Sequence, residues 1–161
     1  MVNVNYSLSL HLANQLIKRN KKIVVAESCT GGGLSEEITA VSGASRWFER
    51  GYVAYSNEAK HELLAVSVST LEKFGAVSEQ TAKEMAKGAL EQSHADISLS
   101  ITGIAGPGGG TPTKPVGTVW FGLADRSGCV EARLGQFTSG RKNVRSCSIE
   151  FALRWLLEAL A

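Results

Sequence analysis

The segment Ile23-Val24-Val25-Ala26-Glu27-Ser28-Cys29-Thr30-Gly31-Gly32-Gly33, running into Leu-Ser-Glu-Glu-Ile-Thr-Ala-Val (34–41), decides the fold. Its uninterrupted apolar start reads as a strand buried on both faces, because a half-exposed strand would alternate. The glycines then break the strand, and the following pattern reads as a helix. A buried strand that turns into a helix belongs to a sheet covered by helices.

The flanking sequence repeats this logic. Leu8, Leu12, Leu16 and Ile17 fall near helical spacing between about Ser7 and Arg19. ASRWFER (44–50) reads as a short helix, and GYVAYS (51–56) as the next strand. Asn57 is placed to cap EAKHELLA, and STLEKF ends at Gly75. Ser78 opens a long helix with Ala82, Met85, Ala86 and Ala89 on one face. DISLSIT (96–102) is a strand with apolar Ile97, Leu99 and Ile101. Beyond the loop GIAGPGGGTPTKPV, GTVWFGLAD and CVEARLGQF flank Arg126-Ser127-Gly128 as a hairpin. SGRKNVRSCSIEFALRWLLEAL reads as a capped final helix with an inner stripe of Val144, Cys147, Ser148, Phe151, Trp155 and Leu156. Strands separated by helices predict an α/β fold with a mostly parallel sheet, and the hairpin adds at least one antiparallel strand. No linker or repeat interrupts residues 1–161, which read as one domain.

Composition narrows the function. The 161 residues are 43% apolar and 20% charged, which excludes a disordered chain. A net charge of +2 without charge blocks gives no footprint for nucleic acid. No apolar run is long enough for a membrane span, because Glu150, Arg154 and Glu158 interrupt the greasy C-terminal stretch. The first residues lack a basic region and a small-residue cleavage site, so no secretory signal is read. Three cysteines without a C-x-x-C suggest reduced thiols in a cytoplasmic protein, and three scattered histidines predict no metal site.

Four places can carry chemistry. The turn Ser28–Gly33 lies where open α/β sheets bind ligands, and either presents a hydroxyl nucleophile or is only a capped tight turn. Lys60 is either a surface lysine or, if buried, a neutral amine able to take a serine proton. Thr102-Gly103-Ile104-Ala105-Gly106 opens a loop that is either mobile or a source of backbone N–H groups for an oxyanion. Arg141 and Arg145, one helical turn apart, are solvated charges or a phosphate or carboxylate subsite. Cys29 competes with Ser28 as nucleophile but reads better as a small buried residue. The tryptophans and neighbouring phenylalanines read as core or interface.

Taken together, Ala26-Glu-Ser-Cys-Thr-Gly-Gly32, Trp47-Phe-Glu-Arg-Gly-Tyr-Val-Ala-Tyr-Ser-Asn-Glu-Ala-Lys60, Gly75-Ala-Val-Ser-Glu79, Ile101-Thr-Gly-Ile-Ala-Gly-Pro107 and Lys114-Pro-Val-Gly-Thr-Val-Trp120 resemble the CinA C-terminal domain family, over about residues 8–160. The resemblance implies a three-layer α/β/α sandwich around a mixed sheet. It implies an amidase that converts nicotinamide mononucleotide to nicotinate mononucleotide and ammonia in pyridine nucleotide recycling, without a cofactor. Carried onto this chain, Ser28 is the nucleophile and Lys60 its base, with Tyr55 close by. Thr102 and the turn from Gly103 to Gly106 line the site, and Arg141 and Arg145 match the family's arginines. The oxyanion donors are backbone N–H groups near Thr30, Gly31 and Gly32 or those of the Gly103 turn. This chain has Ser139-Gly140-Arg141 where the family often has Gly-Asp-Arg. Longer relatives carry an N-terminal domain with pyrophosphatase activity, which is not expected here. A homo-oligomer is expected. The competing readings are a non-catalytic nucleotide-binding module and a Ser-Lys amidase for another amide.

Overall fold

In the computed structural model, which describes residues 3–161, β1 (Ile23–Glu27) is the inner strand on which the site is built. Residues 1 and 2 of the expected domain lie outside the described residues. Strand β1 pairs in parallel with β2 (Phe48–Val53) on one side and β3 (Ile97–Gly103) on the other. Strand β4 (Thr118–Asp125) is antiparallel to β3, and β5 (Val130–Gln136) is antiparallel to β4. The order is β2-β1-β3-β4-β5. Only β4 runs against the others, so the sheet is mixed and mostly parallel.

Helices α1 (Val4–Lys18), α2 (Gly33–Thr39) and α6 (Arg141–Ala159) cover one face. Ile23 and Val25 of β1, Leu99 and Ile101 of β3 and Phe121 of β4 pack there with Leu12, Leu34 and Leu153. Helices α3 (Asn57–Leu64), α4 (Val68–Phe74) and α5 (Glu79–Glu91) cover the other face, over Val24 and Ala26. Burying a side chain such as Leu12 or Leu99 completely stabilises the fold by roughly 1.5–3 kcal/mol.

Strand β3 does not alternate in exposure as its sequence suggests. Ser98 and Ser100 are as buried as the residues between them. Their hydroxyls donate to the Ala86 and Ala82 carbonyls of α5, which removes the cost of burying them. The close approach of α5 also requires Gly122, where a Cβ would lie 2.2 Å from the Ala82 carbonyl oxygen.

Three local expectations need correction. The segment 44–50 is not a helix: a single 3₁₀ turn covers Ala44–Arg46, and β2 begins at Phe48. Pairing with β1 wins over local preference, beginning with the Ile23 N–H donating to the Trp47 carbonyl. The cap of α3 is Ser56, not Asn57. Ser56 has the extended backbone of a capping residue, and its Oγ accepts from the Ala59 N–H at 3.0 Å. Helix α6 has no side-chain cap, because Gly140 stands at its N-cap. Its inner stripe also includes Ile149, Ala152 and Leu153, while Cys147 and Phe151 are only half-buried. No helix among the described residues is long and apolar enough to cross a membrane.

Candidate active site

Strand β1 ends at Glu27, and the next residue turns out of the sheet. The Ser28 N–H donates to the Ile101 carbonyl of β3 at 2.9 Å, so the ladder continues for one more bond while the side chain is released. The turn closes on itself through Gly31 N–H to the Ser28 carbonyl and Gly33 N–H to the Thr30 carbonyl. Gly31 and Gly32 have φ of 57° and 98°, the left-handed region that favours glycine. The glycines therefore make the turn that presents Ser28.

Lys60 arrives from the other side of the sheet. It lies in the first half of α3 and is 1% exposed. Its Nζ is 3.1 Å from Ser28 Oγ and 3.0 Å from the Tyr55 carbonyl oxygen. Burial pushes the lysine below its ordinary pKa by penalising the ammonium form. A Cys29 thiolate would raise it again, but burial pushes the Cys29 thiol up to about 11. Cys29 is thus protonated at neutral pH, and Lys60 keeps its tendency toward the neutral amine. The same shift counts against Cys29 as nucleophile.

Tyr55 splits its contributions. Its carbonyl holds Lys60, while its exposed phenol accepts from Arg141 Nη2 at 3.2 Å. Arg141 Nη1 donates to the Gly106 carbonyl at 2.9 Å, so Arg141 links the loop after β3 to the end of β2. Arg145 Nη2 donates to the Thr30 carbonyl at 3.1 Å, and its buried Nε has no protein partner. Arg141 and Arg145 of α6 therefore both reach the strand ends where Ser28 sits.

A model of the CinA C-terminal domain matches residues 5–160. The chain belongs to this family. The nicotinamide-nucleotide amidohydrolase PncC of Enterobacter agglomerans is 49% identical over 152 residues, covering 94% of this chain and 93% of that protein. A CinA-like protein of Chlorobaculum tepidum is 51% identical, but its matched part is 36% of its length and 92% of this chain. The crystal structure of the competence/damage inducible protein CihA from Agrobacterium tumefaciens superposes with a TM-score of 0.95 at 38% identity, covering 99% of this chain and 97% of that one.

In this CinA domain, Ser28, Lys60, Tyr55, Thr30, Gly31, Gly32, Gly106, Arg141 and Arg145 are joined by the contacts above or by the turn itself. Thr102 is buried beside the β1 exit, but its hydroxyl donates to the Ala76 carbonyl at 2.8 Å. Gly103 is the last residue of β3 and faces Val119 across the ladder.

The residue that sequence reasoning left without a role is Glu27. It is completely buried, and its carboxylate accepts four hydrogen bonds. The signal was an acidic residue closing an otherwise apolar strand, a position that demands partners. Among the described residues, no His, Cys, Asp and Glu side chains group so as to hold a metal ion.

Proposed function

We propose that this protein is a nicotinamide-nucleotide amidase that works through Ser28 and Lys60. The observation that carries the reading is the 3.1 Å approach of a buried lysine nitrogen to a serine hydroxyl at a strand end. The nicotinamide-nucleotide amidohydrolase of Enterobacter agglomerans, a relative over nearly the whole chain, supplies the substrate class.

Neutral Lys60 takes the proton from Ser28 Oγ as the oxygen attacks the carboxamide carbon. The Tyr55 carbonyl holds a lysine N–H, so the lone pair faces the serine. This is the arrangement of nucleophile, base and orienting group found in activated-serine enzymes. The N–H groups of Cys29, Thr30 and Gly32, which take no part in the turn's own bonds, are the candidate donors to the oxyanion. One such donor is typically worth roughly 100–1,000-fold in rate. The C–N bond breaks, Lys60 returns its proton to the departing amine, and ammonia leaves. Water then attacks the acyl-enzyme with Lys60 again as base, which releases the carboxylate and restores the serine. Arg141 serves the 5′-phosphate, and Arg145 holds the turn through the Thr30 carbonyl. The product, nicotinate mononucleotide, places the enzyme in pyridine nucleotide recycling.

The test is incubation with nicotinamide mononucleotide, followed by ammonia release and product chromatography. Equal release of ammonia and nicotinate mononucleotide is expected. No release by the folded wild-type protein overturns the reading.

A further inference from the structure

Glu27 is the last residue of β1, and its side chain points to the face opposite Lys60. Each carboxylate oxygen accepts two donors. Oε1 takes the Thr30 hydroxyl and the Leu34 N–H, both at 2.7 Å. Oε2 takes the Ser35 N–H at 3.0 Å and the Ser35 hydroxyl at 2.7 Å. Leu34 and Ser35 are the second and third residues of α2, whose N–H groups a capping side chain normally satisfies. The residue at the N-cap is Gly32, which has no side chain. The strand therefore supplies the cap from five residues upstream, across the catalytic turn.

This arrangement differs from an ordinary cap in what it encloses. Ser28 to Gly32 form a loop that leaves the chain at Glu27 and returns to its carboxylate through the Leu34 and Ser35 N–H groups just beyond it, and the Thr30 hydroxyl ties the middle of the loop to the same group. The Thr30 carbonyl is held from the other side by Arg145. The remaining freedom lies at Gly31 and Gly32, which have no side chains to resist movement. Without the Thr30 tether, the turn could pivot there and carry Ser28 away from Lys60. A displacement of about 1 Å at a reacting atom can cost on the order of 100-fold in rate.

We infer that Glu27 is a positioning residue of this site: by tethering Thr30 to the first turn of α2, it fixes Ser28 Oγ opposite Lys60. The inference rests on the reading of Ser28 as nucleophile. Glu27 acts through geometry and not through the lysine's charge state. The influences on Lys60 are its burial and Cys29, and the carboxylate lies on the other face of the sheet.

The experiment compares two hydroxyl deletions of equal hydrogen-bond length on the two oxygens of one carboxylate. Thr30→Val removes the tether inside the turn, and Ser35→Ala removes a bond on the helix side only. With nicotinamide mononucleotide, T30V should lower kcat at least tenfold, with KM within threefold of wild type and the acid limb of the pH profile in place. Thr30→Ser, which keeps the hydroxyl, should recover most of kcat. S35A should stay within threefold of wild type even if its Tm falls as far as that of T30V. Should valine not fit the turn, Thr30→Ala against T30S makes the same comparison. Equal kcat losses in T30V and S35A, or a T30V defect confined to KM, overturn the inference. Ser28→Ala is run in parallel: if it stays active, the nucleophile reading itself fails. If it is dead while T30V behaves like S35A, only the positioning role of Glu27 fails.

Discussion

Lys60 Nζ meets Ser28 Oγ at 3.1 Å even though the two residues follow different strands. Ser28 leaves the sheet after β1, and Lys60 sits on the helix that follows β2. Parallel pairing of β1 and β2 brings both exits to the same sheet end, since Glu27 lies opposite Val53 in the register. The Ala54 N–H donates to the Glu27 carbonyl at 2.9 Å and extends that pairing to the last residue before the turn that carries Ser28.

Removing either partner should abolish turnover while the fold persists. Ser28 is 7% exposed and its side chain is small, so Ser28→Ala leaves the core packing intact. Activity is expected to fall at least about 1,000-fold, in line with loss of a covalent nucleophile. Cys29→Ala should keep at least a third of wild-type turnover, because its thiol, with a pKa of about 11, is not a nucleophile at neutral pH. Ammonia release by the two variants decides between neighbouring candidates. Retained activity in S28A together with loss in C29A would transfer the role to the cysteine.

Lys60→Arg should be as inactive as Lys60→Met. Arginine keeps the positive charge but does not deprotonate in a protein, so it cannot take the serine proton. In the wild type, kcat/KM should fall as pH drops through the lowered pKa of Lys60, because protonation removes the base. The acid limb should lie below the ordinary lysine value of 10.5. A pH profile with its limb at an unshifted lysine value would contradict the buried-base reading.

The same shift makes a stability prediction with a definite sign. Lys60 has a lower pKa folded than unfolded, so between those values the unfolded chain binds more protons. Stability conferred by this site therefore rises with pH through that window, is complete above the unfolded value, and is lost as pH falls through the folded value. Lys60→Met removes the titration and keeps an apolar stem of similar length. K60M should gain stability over wild type toward neutral pH, with the difference shrinking as pH rises toward 10. Denaturant unfolding at several pH values measures it, and a pH-independent difference would show that Lys60 is not desolvated.

The parts of the site legible in the sequence are those whose signals are local. The apolar run 23–26 and the glycines after Thr30 mark the strand and its turn without knowledge of any partner. The start of β2 was not legible, because residues 44–50 are compatible with a helix until β1 offers them a ladder. Ser56 and Asn57 are both capping residue types, and only the extended backbone at Ser56 separates them. Glu27 could be seen as a buried acid in need of donors, but its partners Leu34 and Ser35 become neighbours only once α2 folds back on the turn. The four-residue spacing of Arg141 and Arg145 was plain, yet their partners are 35 to 115 residues away in the chain.

The final prediction concerns which arginine reads the phosphate. Arg141 donates to Gly106 and Tyr55 and retains further guanidinium N–H donors. It also stands at the first position of α6, where Gly140 provides no capping side chain and leaves the first N–H groups of a 19-residue helix to other acceptors. Arg145 is tied to the Thr30 carbonyl and supports the catalytic turn. Charge-assisted hydrogen bonds of this kind are each worth roughly 1.5–3 kcal/mol, so losing the phosphate should lower kcat/KM at least about tenfold. Nicotinamide riboside, which lacks the phosphate, should be the poorer substrate by that factor. Arg141→Ala should slow the nucleotide by a similar factor and leave the riboside within about twofold. Arg145→Ala should instead slow both substrates, because it loosens the turn that carries Ser28. The measurement is a comparison of three enzymes on two substrates. If R141A slowed both substrates equally, Arg141 would serve only to hold Tyr55 against the Gly106 loop, and the phosphate would have to be read elsewhere.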